Sequence, residues 1–397
     1  MKNFTEGLLS SAFGFALFDS WPDLADELTS TDDRLLYRAL ELASHGVGRT
    51  HPNPPVGSVV SKAGTIIAEG FHERAGLPHA EAKALKLAGE NAKGADVYIT
   101  LEPCAHYGRT PPCNLAVIAS GVKKARIGTL DPNPKVDGGG LSALLDAGID
   151  AKVTENPFLH SLALNMMAPF ANTMNKKRPY VVLHIASSLD GRVAAKPGEE
   201  TAITSKASLK ISHRLRDKVD AVVVGRSTVE IDDPKLTVRE VSRRDERQPL
   251  RIVFDSQVAL STDHQVFAQG NCLVVHDQAV ALEKLKALDA VGAKHVGVYQ
   301  TAQGLSLPEA MTRLYEHGLT SLLVEGGPHL WTSFLNAGLV DEIWWYDAPM
   351  ILGASGIEAL GTLTPQASDW LSVGKHESHT VLIDRDQLTI MRIQKPH

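Results

Sequence analysis

His79-Ala80-Glu81 is followed along the chain by Pro103-Cys104 and then by Cys113. One imidazole and two thiolates make a donor set suited to zinc, a borderline metal held by ligands that are neutral or anionic at pH 7. Three protein ligands leave the fourth tetrahedral position to water, whose pKa falls to about 7 on the metal and yields a nucleophile at neutral pH. Glu81 is near enough to His79 to carry a proton from that water to a departing amine without occupying the metal. The expected chemistry is hydrolytic deamination with one zinc per chain. A structural zinc would need a fourth protein ligand, for which His106 is the nearest candidate, and would leave Glu81 without a task.

A chain of 397 residues exceeds what one hydrophobic core usually serves, so two domains are expected. Its hydrophobic fraction of 43% and charged fraction of 22% describe an ordinary globular protein. A net charge of −6 gives no broad electrostatic footprint for nucleic acid. Three cysteines exclude a disulfide scaffold; with Cys104 and Cys113 committed to metal, Cys272 reads as a lone thiol, and a cytoplasmic setting fits. The apolar run at 8–18 is too short to span a bilayer and lacks a cleavage site, so residues 1–30 read as a loosely docked extension. No other segment approaches membrane-spanning length.

Apolar residues recur at helical spacing over 32–45, behind a Thr-Asp-Asp start. The loop His51-Pro52-Asn53-Pro54-Pro55 is neither helix nor central strand, and a hairpin follows over 56–60 and 65–68. Residues 80–87 form a helix whose start carries His79 and Glu81. A strand at 96–100 leads to Cys104, a helix starts at Pro112-Cys113, a strand covers 122–128, and a helix covers 141–147. This alternation predicts a three-layer α/β domain with its ligands where helices follow strands. Residues 156–177 read as a helix with an aromatic and methionine face, and the domain boundary falls between 150 and 178. Beyond it, apolar runs at 180–185, 221–225, 250–255, 271–276, 295–299, 321–325 and 342–346 read as interior strands of a mostly parallel sheet, with helices at 205–216 and 329–337 between them. Segments 380–382 and 388–393 read as antiparallel edge strands. No G-x-G-x-x-G fingerprint follows the first strand of this half.

The run Glu102-Pro103-Cys104-Ala105-His106-Tyr107-Gly108-Arg109-Thr110-Pro111-Pro112-Cys113, with His79 and Glu81, closely resembles the bifunctional riboflavin biosynthesis protein family. That family fuses a diaminohydroxyphosphoribosylaminopyrimidine deaminase to a 5-amino-6-(5-phosphoribosylamino)uracil reductase. The resemblance accounts for the eight residues between Cys104 and Cys113, where other zinc base deaminases have two. Pro52-Asn53-Pro54, the run 128–134, Ala186-Ser187-Ser188-Leu189-Asp190-Gly191-Arg192, the run 232–239 and Val324-Glu325-Gly326-Gly327-Pro328 also match it. It extends from about residue 32 to the C-terminus and implies a cytidine-deaminase-like three-layer α/β/α domain at 31–175. A dihydrofolate-reductase-like α/β domain at 176–397 would follow, binding NADPH without the dinucleotide fingerprint. Zinc ligation by His79, Cys104 and Cys113, with Glu81 as proton shuttle, agrees with the residue chemistry.

The implied reaction deaminates 2,5-diamino-6-(5-phosphoribosylamino)pyrimidin-4(3H)-one and then reduces its ribosyl group to ribityl. Asn53, held between prolines, either faces the pyrimidine or caps its own turn. Arg109 and Thr110 either line the substrate channel or stabilise their loop; His72 and Lys135 are candidates for the ribose phosphate. In the second half Asp233 is placed nearest the reacting ribose, with Asp232 as competitor. Arg216 and Arg239 are candidate phosphate ligands because a guanidinium fork matches phosphate oxygens. Glu325 could hold a ribose hydroxyl, and Ser205 and Leu236 join the substrate set. Ser187, Asp190, Gly225, Thr228, Gly326 and Gly327 are expected at NADPH, with Lys206 and Arg226 candidates for its 2′-phosphate.

Three departures from the family pattern stand out: Gly139 inside Val136-Asp137-Gly138-Gly139-Gly140, His184 where a lysine is common, and Ala202 in place of a tryptophan. The last two keep open a reading with a weak or inactive reductase. A further class, an RNA-editing deaminase with a C-terminal binding module, would leave the Asp-Asp-Pro and Glu-Gly-Gly motifs unexplained. A homodimer through the reductase half is expected, with Ile343-Trp344-Trp345-Tyr346, Met350 and Ile351 serving as either core or interface.

Overall fold

The computed structural model describes residues 11–17, 21–24, 26–105, 112–133, 139–243, 245–373 and 376–394. Its backbone contacts divide the chain into two units, Met1–Lys176 and Lys177–His397.

In the first unit the helical spacing is realised as α1 (Thr31–Ser44), which buries Leu35, Leu36, Ala39, Leu40 and Ala43. The hairpin is β1 (Gly57–Lys62) with β2 (Thr65–Phe71). Next come α2 (Ala80–Ala88), β3 (Asp96–Leu101), α3 (Cys113–Ala119), β4 (Lys124–Thr129), α4 (Gly139–Asp146), β5 (Asp150–Val153) and α5 (Pro157–Lys176). Among the described residues five strands form one sheet in the order β2-β1-β3-β4-β5. β1 is antiparallel to both neighbours, while β3, β4 and β5 run parallel. β3 is buried along its whole length, as its continuous apolar run requires. β5 was not legible: it is a four-residue edge strand in which Ala151 is the one buried residue. α5 starts where Asn156 Oδ1 accepts from the N–H groups of Phe158 and Leu159, and it runs on through Pro169.

The N-terminal segment differs from expectation. Phe13 is 1% exposed, and Ala12, Ala16, Leu24 and Leu28 are buried. Trp21 donates through Nε1 to Ser44 Oγ (2.9 Å) and meets the Tyr37 ring edge-on, while Tyr37 donates to the Pro22 carbonyl (2.8 Å). Among the described residues before α1, Trp21 and Pro22 are fastened to that helix, and the buried apolar side chains are not those of a loose tail.

The second unit contains β6 (Tyr180–Ser188), α6 (Lys206–Lys218), β7 (Ala221–Gly225), α7 (Arg226–Asp232), β8 (Leu250–Phe254), β9 (Cys272–Asp277), α8 (Leu282–Ala290) and β10 (Lys294–Val298). It continues with α9 (Leu307–Glu316), β11 (Ser321–Val324), α10 (Pro328–Asn336), β12 (Glu342–Ala348), α11 (Pro365–Val373), β13 (Glu377–Ile383) and β14 (Asp386–Arg392). Among the described residues nine strands form a sheet ordered β10-β9-β8-β7-β11-β6-β12-β14-β13. β10 through β12 are parallel, and the last two join antiparallel. Val181, Leu183, Val223, Ile252, Leu273 and Leu322 share one core with Met311, Leu314, Trp331 and Phe334. The aromatic run proves to be interior: Ile343, Trp344 and Tyr346 are buried on β12, which lies between β6 and β14, leaving Ile351 and Leu189 as exposed apolar residues. Among the described residues no helix is long and apolar enough to cross a membrane.

Candidate functional site

The three ligand candidates come together at two helix starts and a strand end. His79 is the N-cap of α2, Cys113 is the first residue of α3, and Cys104 follows the end of β3. His79 Nδ1 lies 3.1 Å from Cys113 Sγ and 3.9 Å from Cys104 Sγ, and all three donor atoms fall within 4.8 Å of one another. Such separations match the edges of a tetrahedron with metal–ligand bonds of about 2.0–2.3 Å, so the residues fit zinc. The Cys113 N–H donates to Cys104 Sγ (3.2 Å). Hydrogen bonds from Cys113, then from His79, pull the Cys104 thiol down to about 4, while Cys113 is pushed up. Metal binding requires both sulfurs as thiolates and so is favoured as pH rises.

Glu81 stands in the first turn of α2, 3% exposed, and its Oε2 has no hydrogen-bond partner. Burial pushes its carboxyl up to about 7. A buried oxygen left unpaired next to a metal-ligand set is a place for a group that arrives with the reaction. His79, Glu81 and Cys104 open into a cavity of about 530 Å³ that is also lined by Asn53, His72, Leu77, Glu102, Asp131, Phe170 and Met174. His72 donates through Nδ1 to the Pro78 carbonyl (3.2 Å), so its Nε2 accepts from Asn53 Nδ2 (3.1 Å). This chain fixes the Asn53 amide and leaves its Oδ1 as the acceptor available to the cavity.

Glu102 is a residue that sequence reasoning passed over. It is 2% exposed and accepts from the N–H groups of Leu141 (2.9 Å) and Asp131 (3.2 Å). It thereby fastens the Cys104 turn to α4 and to the loop after β4. A Cβ on Gly140 would sit 2.0 Å from the Pro103 carbonyl, so glycine is required for α4 to approach that turn. The readable signal was a carboxylate directly before Pro-Cys. Arg109, Thr110, Lys135, His106 and the stretch 134–138 lie outside the described residues. A larger open groove of about 980 Å³ beside Asp32, Arg126 and Lys152 gathers no metal-ligand set, and its charges pair internally, Asp32 with Lys124 and Arg126.

In the second unit a cavity of about 450 Å³ is lined by Arg216, Thr228, Asp232, Lys235, Arg239 and Glu325, among others. Arg216 comes from the last turn of α6, and Glu325 directly follows β11. The guanidinium donates to both Glu325 oxygens (2.7 and 2.6 Å) and to the Thr237 carbonyl (3.1 Å). Burial pushes Glu325 up, but the Arg216 charge outweighs it and holds the carboxyl below its ordinary value. The Arg216 fork is therefore spent on Glu325. Arg239 is exposed, and its Nη1 donates to Thr237 Oγ1 (2.9 Å). Beneath it the Arg239 N–H donates to His213 Nδ1 (3.2 Å). Burial and the two arginines hold His213 down to about 4.

Gly225, Thr228, Gly326 and Gly327 converge where β7 and β11 end side by side. A Cβ on Gly326 would lie 2.6 Å from Val224 Cα, Gly327 has a φ of 72°, and open space stands before Gly225. A backbone cradle that side chains would fill suits a phosphate-bearing cofactor, and these residues fit NADPH.

Four of the expected site residues have side-chain partners of their own. Asp233 reaches the pocket rim, but its carboxylate accepts from the Gln265 N–H (2.8 Å) and from His264 (3.1 Å), fastening a left-handed turn at φ 38°. Ser187 is fully buried between Trp345 Nε1 (2.9 Å) and Asp347 Oδ1 (3.2 Å). Asp190 accepts from Ser188 Oγ (2.6 Å) and from the Leu352 and Gly353 N–H groups (3.1 and 2.8 Å), which makes it a loop clamp. Ser205 caps α6, accepting from the Ser208 N–H (3.3 Å) and donating its own N–H to Asp386 (2.7 Å). Leu236 is buried at φ 51°, and Asp232 faces the pocket with its carboxyl raised by burial and by the Glu200 charge. His184 is half-buried, its ring beside Tyr346 and its Nε2 2.7 Å from Ser212 Oγ.

Residues 29–129 match the family model of the cytidine and deoxycytidylate deaminase zinc-binding region, and residues 179–384 match that of the RibD C-terminal domain. The riboflavin biosynthesis protein RibD of Aquifex aeolicus is 42% identical over 322 residues, which cover 81% of this chain and 88% of that protein. Its Escherichia coli counterpart is 41% identical over 335 residues, covering 81% and 89%. Among solved structures, Acinetobacter baumannii RibD superposes with a TM-score of 0.79 at 34% identity, covering 92% of this chain and 99% of that one. A Thermotoga maritima diaminohydroxyphosphoribosylaminopyrimidine deaminase/5-amino-6-(5-phosphoribosylamino)uracil reductase gives 0.76 at 33% identity, with coverage of 92% and 99%. With both halves matched and most of the length aligned, the chain belongs to the RibD family of riboflavin biosynthesis proteins.

Proposed function

We propose that residues 31–175 deaminate 2,5-diamino-6-(5-phosphoribosylamino)pyrimidin-4(3H)-one and that residues 176–397 reduce the ribosyl group of the product to ribityl. The observation that carries this reading is the unpartnered, buried Glu81 Oε2 beside three converging metal donors. Zinc, when bound, supplies the Lewis acidity that makes water a nucleophile at neutral pH. As water adds to the amine-bearing carbon, Glu81 takes one of its protons at Oε2 and passes it to the adjacent ring nitrogen, then carries the second to the amine as the C–N bond breaks and ammonia leaves. Asn53, its Nδ2 committed to His72, turns Oδ1 toward N–H donors on the pyrimidine edge.

NADPH, when bound, supplies the hydride, held at the cradle of Gly225, Thr228, Gly326 and Gly327. The Arg216 pair keeps Glu325 ionised as an acceptor for sugar hydroxyls. Asp232, not Asp233, is the acid placed to protonate the ring oxygen as the sugar opens. Arg239 and Lys235 are the exposed cations facing the pocket and serve the phosphate. The intact Arg216–Glu325 pair favours an active reductase over a degenerate one. A homodimer through the reductase half remains part of the proposal, supported by exposed Ile351 and Leu189, and a cytoplasmic setting accords with three cysteines unpaired in disulfides.

Purified protein given the diaminopyrimidine substrate and NADPH should release ammonia and then oxidise NADPH in preference to NADH. Absence of ammonia release refutes the deaminase assignment, and equal rates with the two nicotinamides refute the cofactor preference. Sedimentation at micromolar concentration showing a 43 kDa species alone would refute the dimer.

A further inference from the structure

The aromatic and methionine face of α5 has no part in the reaction as derived above, yet two of its members reach the deaminase cavity. Phe170 and Met174 are four residues apart and so share one side of the helix. Both line the cavity and are partly exposed, whereas Asn172 and Thr173 between them are buried. Pro169 sets the helix locally, since it offers no N–H to the Asn165 carbonyl. Thr173 Oγ1 donates to the Phe170 carbonyl (2.7 Å), holding the turn that carries the ring.

Two imidazoles also line the cavity. His79 is a metal donor, and His72 is bonded at both nitrogens, to Pro78 and to Asn53. Phe170 has no ring partner among the described residues, and it brings to the cavity a six-membered apolar ring with no polar bonds of its own. The polar lining, Asn53, Glu81, Glu102 and Asp131, suits the edges of a heterocycle; none of these groups offers it a face.

We infer that Phe170 is the stacking platform for the substrate's pyrimidine ring, with Met174 filling the space beside it, so that this helix sets affinity for a flat heteroaromatic base. The inference rests on the deaminase reading above. Stacking of an aromatic side chain on a base is worth about 1–3 kcal/mol by alanine substitution, or roughly 5–150-fold in binding. Methionine adapts to irregular gaps and makes favourable contacts at ring edges.

The test is steady-state ammonia release by the full chain carrying Phe170→Ala, Phe170→Leu or Phe170→Tyr, with bound zinc and NADPH oxidation on pre-deaminated substrate measured in parallel. Phe170→Ala and Phe170→Leu should both raise KM for deamination at least about fivefold. Phe170→Tyr should stay within twofold of the parent, and zinc content and reductase turnover should be unchanged in all three. If Phe170→Ala fails to fold, the leucine–tyrosine pair carries the comparison. Phe170→Leu matching the parent would overturn the inference, because apolar volume alone would then suffice; so would an unchanged KM in Phe170→Ala. A parent enzyme that releases no ammonia overturns the deaminase reading itself, a result distinct from either of these.

Discussion

Glu81 and His213 illustrate how burial fixes the protonation of single side chains in this protein. Glu81 is enclosed beside the metal donors, and on the proposed role as proton carrier Glu81→Gln should keep its zinc yet lose about 10²–10⁴-fold in ammonia release. Near-normal turnover in that variant, measured against metal content, would refute the role. His213 is 6% exposed and accepts from the Arg239 N–H, with burial and then the Arg216 and Arg239 charges holding it down to about 4. Its folded value lies below the ordinary 6.5, so the unfolded chain binds more protons in between. The stability it contributes is complete above pH 6.5 and is lost as pH falls toward 4, at most about 3 kcal/mol. Urea unfolding of the reductase half should show that loss, and His213→Asn should flatten it. A parallel decline in the variant would assign the pH dependence elsewhere.

At the scale of elements, α1 depends on the segment before it as well as on the sheet beneath it. Phe13 is 1% exposed, and Trp21 and Pro22 bond to Ser44 and Tyr37 on the helix. Phe13→Ala should therefore cost about 3–5 kcal/mol and lower the first unit's melting temperature by several degrees. An unchanged melting profile would show the segment to be dispensable. Sequence periodicity located α1, α2, β3 and β4 because each carries its apolar pattern within itself. It missed β5, which lies at a sheet edge and contributes one buried side chain. It also undervalued the N-terminal segment, whose apolar residues follow no helical or strand period and are explained only by the surface they cover.

Taken as a whole molecule, the chain is two units with separate chemistries. Arg178 and Asp341, both buried, form a two-pronged ion pair (2.6 and 2.7 Å) within the second unit, where Asp341 also accepts from the Val181 N–H (2.9 Å). Arg178→Ala leaves that carboxylate without its cation and should cost about 3–5 kcal/mol. Calorimetry should show the reductase transition moving down while ammonia release at 25 °C persists. Equal loss of both activities would mean that the units do not hold their structures independently.

What the sequence determined by itself was the chemistry that residue type and short spacing encode. Zinc donors at 79, 104 and 113, a proton carrier at 81 and glycines at 326 and 327 are legible because a metal or a phosphate constrains them within a few residues of a helix start or a strand end. The tertiary structure alone decided what each of several equivalent-looking groups touches. Adjacent Asp232 and Asp233 both line the pocket, and a left-handed turn brings the Asp233 carboxylate to Gln265. Arg216 is paired with Glu325, 109 residues away in sequence. The Phe170 ring reaches the deaminase cavity because α5 returns across the first unit with that face turned inward. Each of these outcomes depends on side-chain direction between segments far apart in the chain, and local patterning of the sequence holds no information about it.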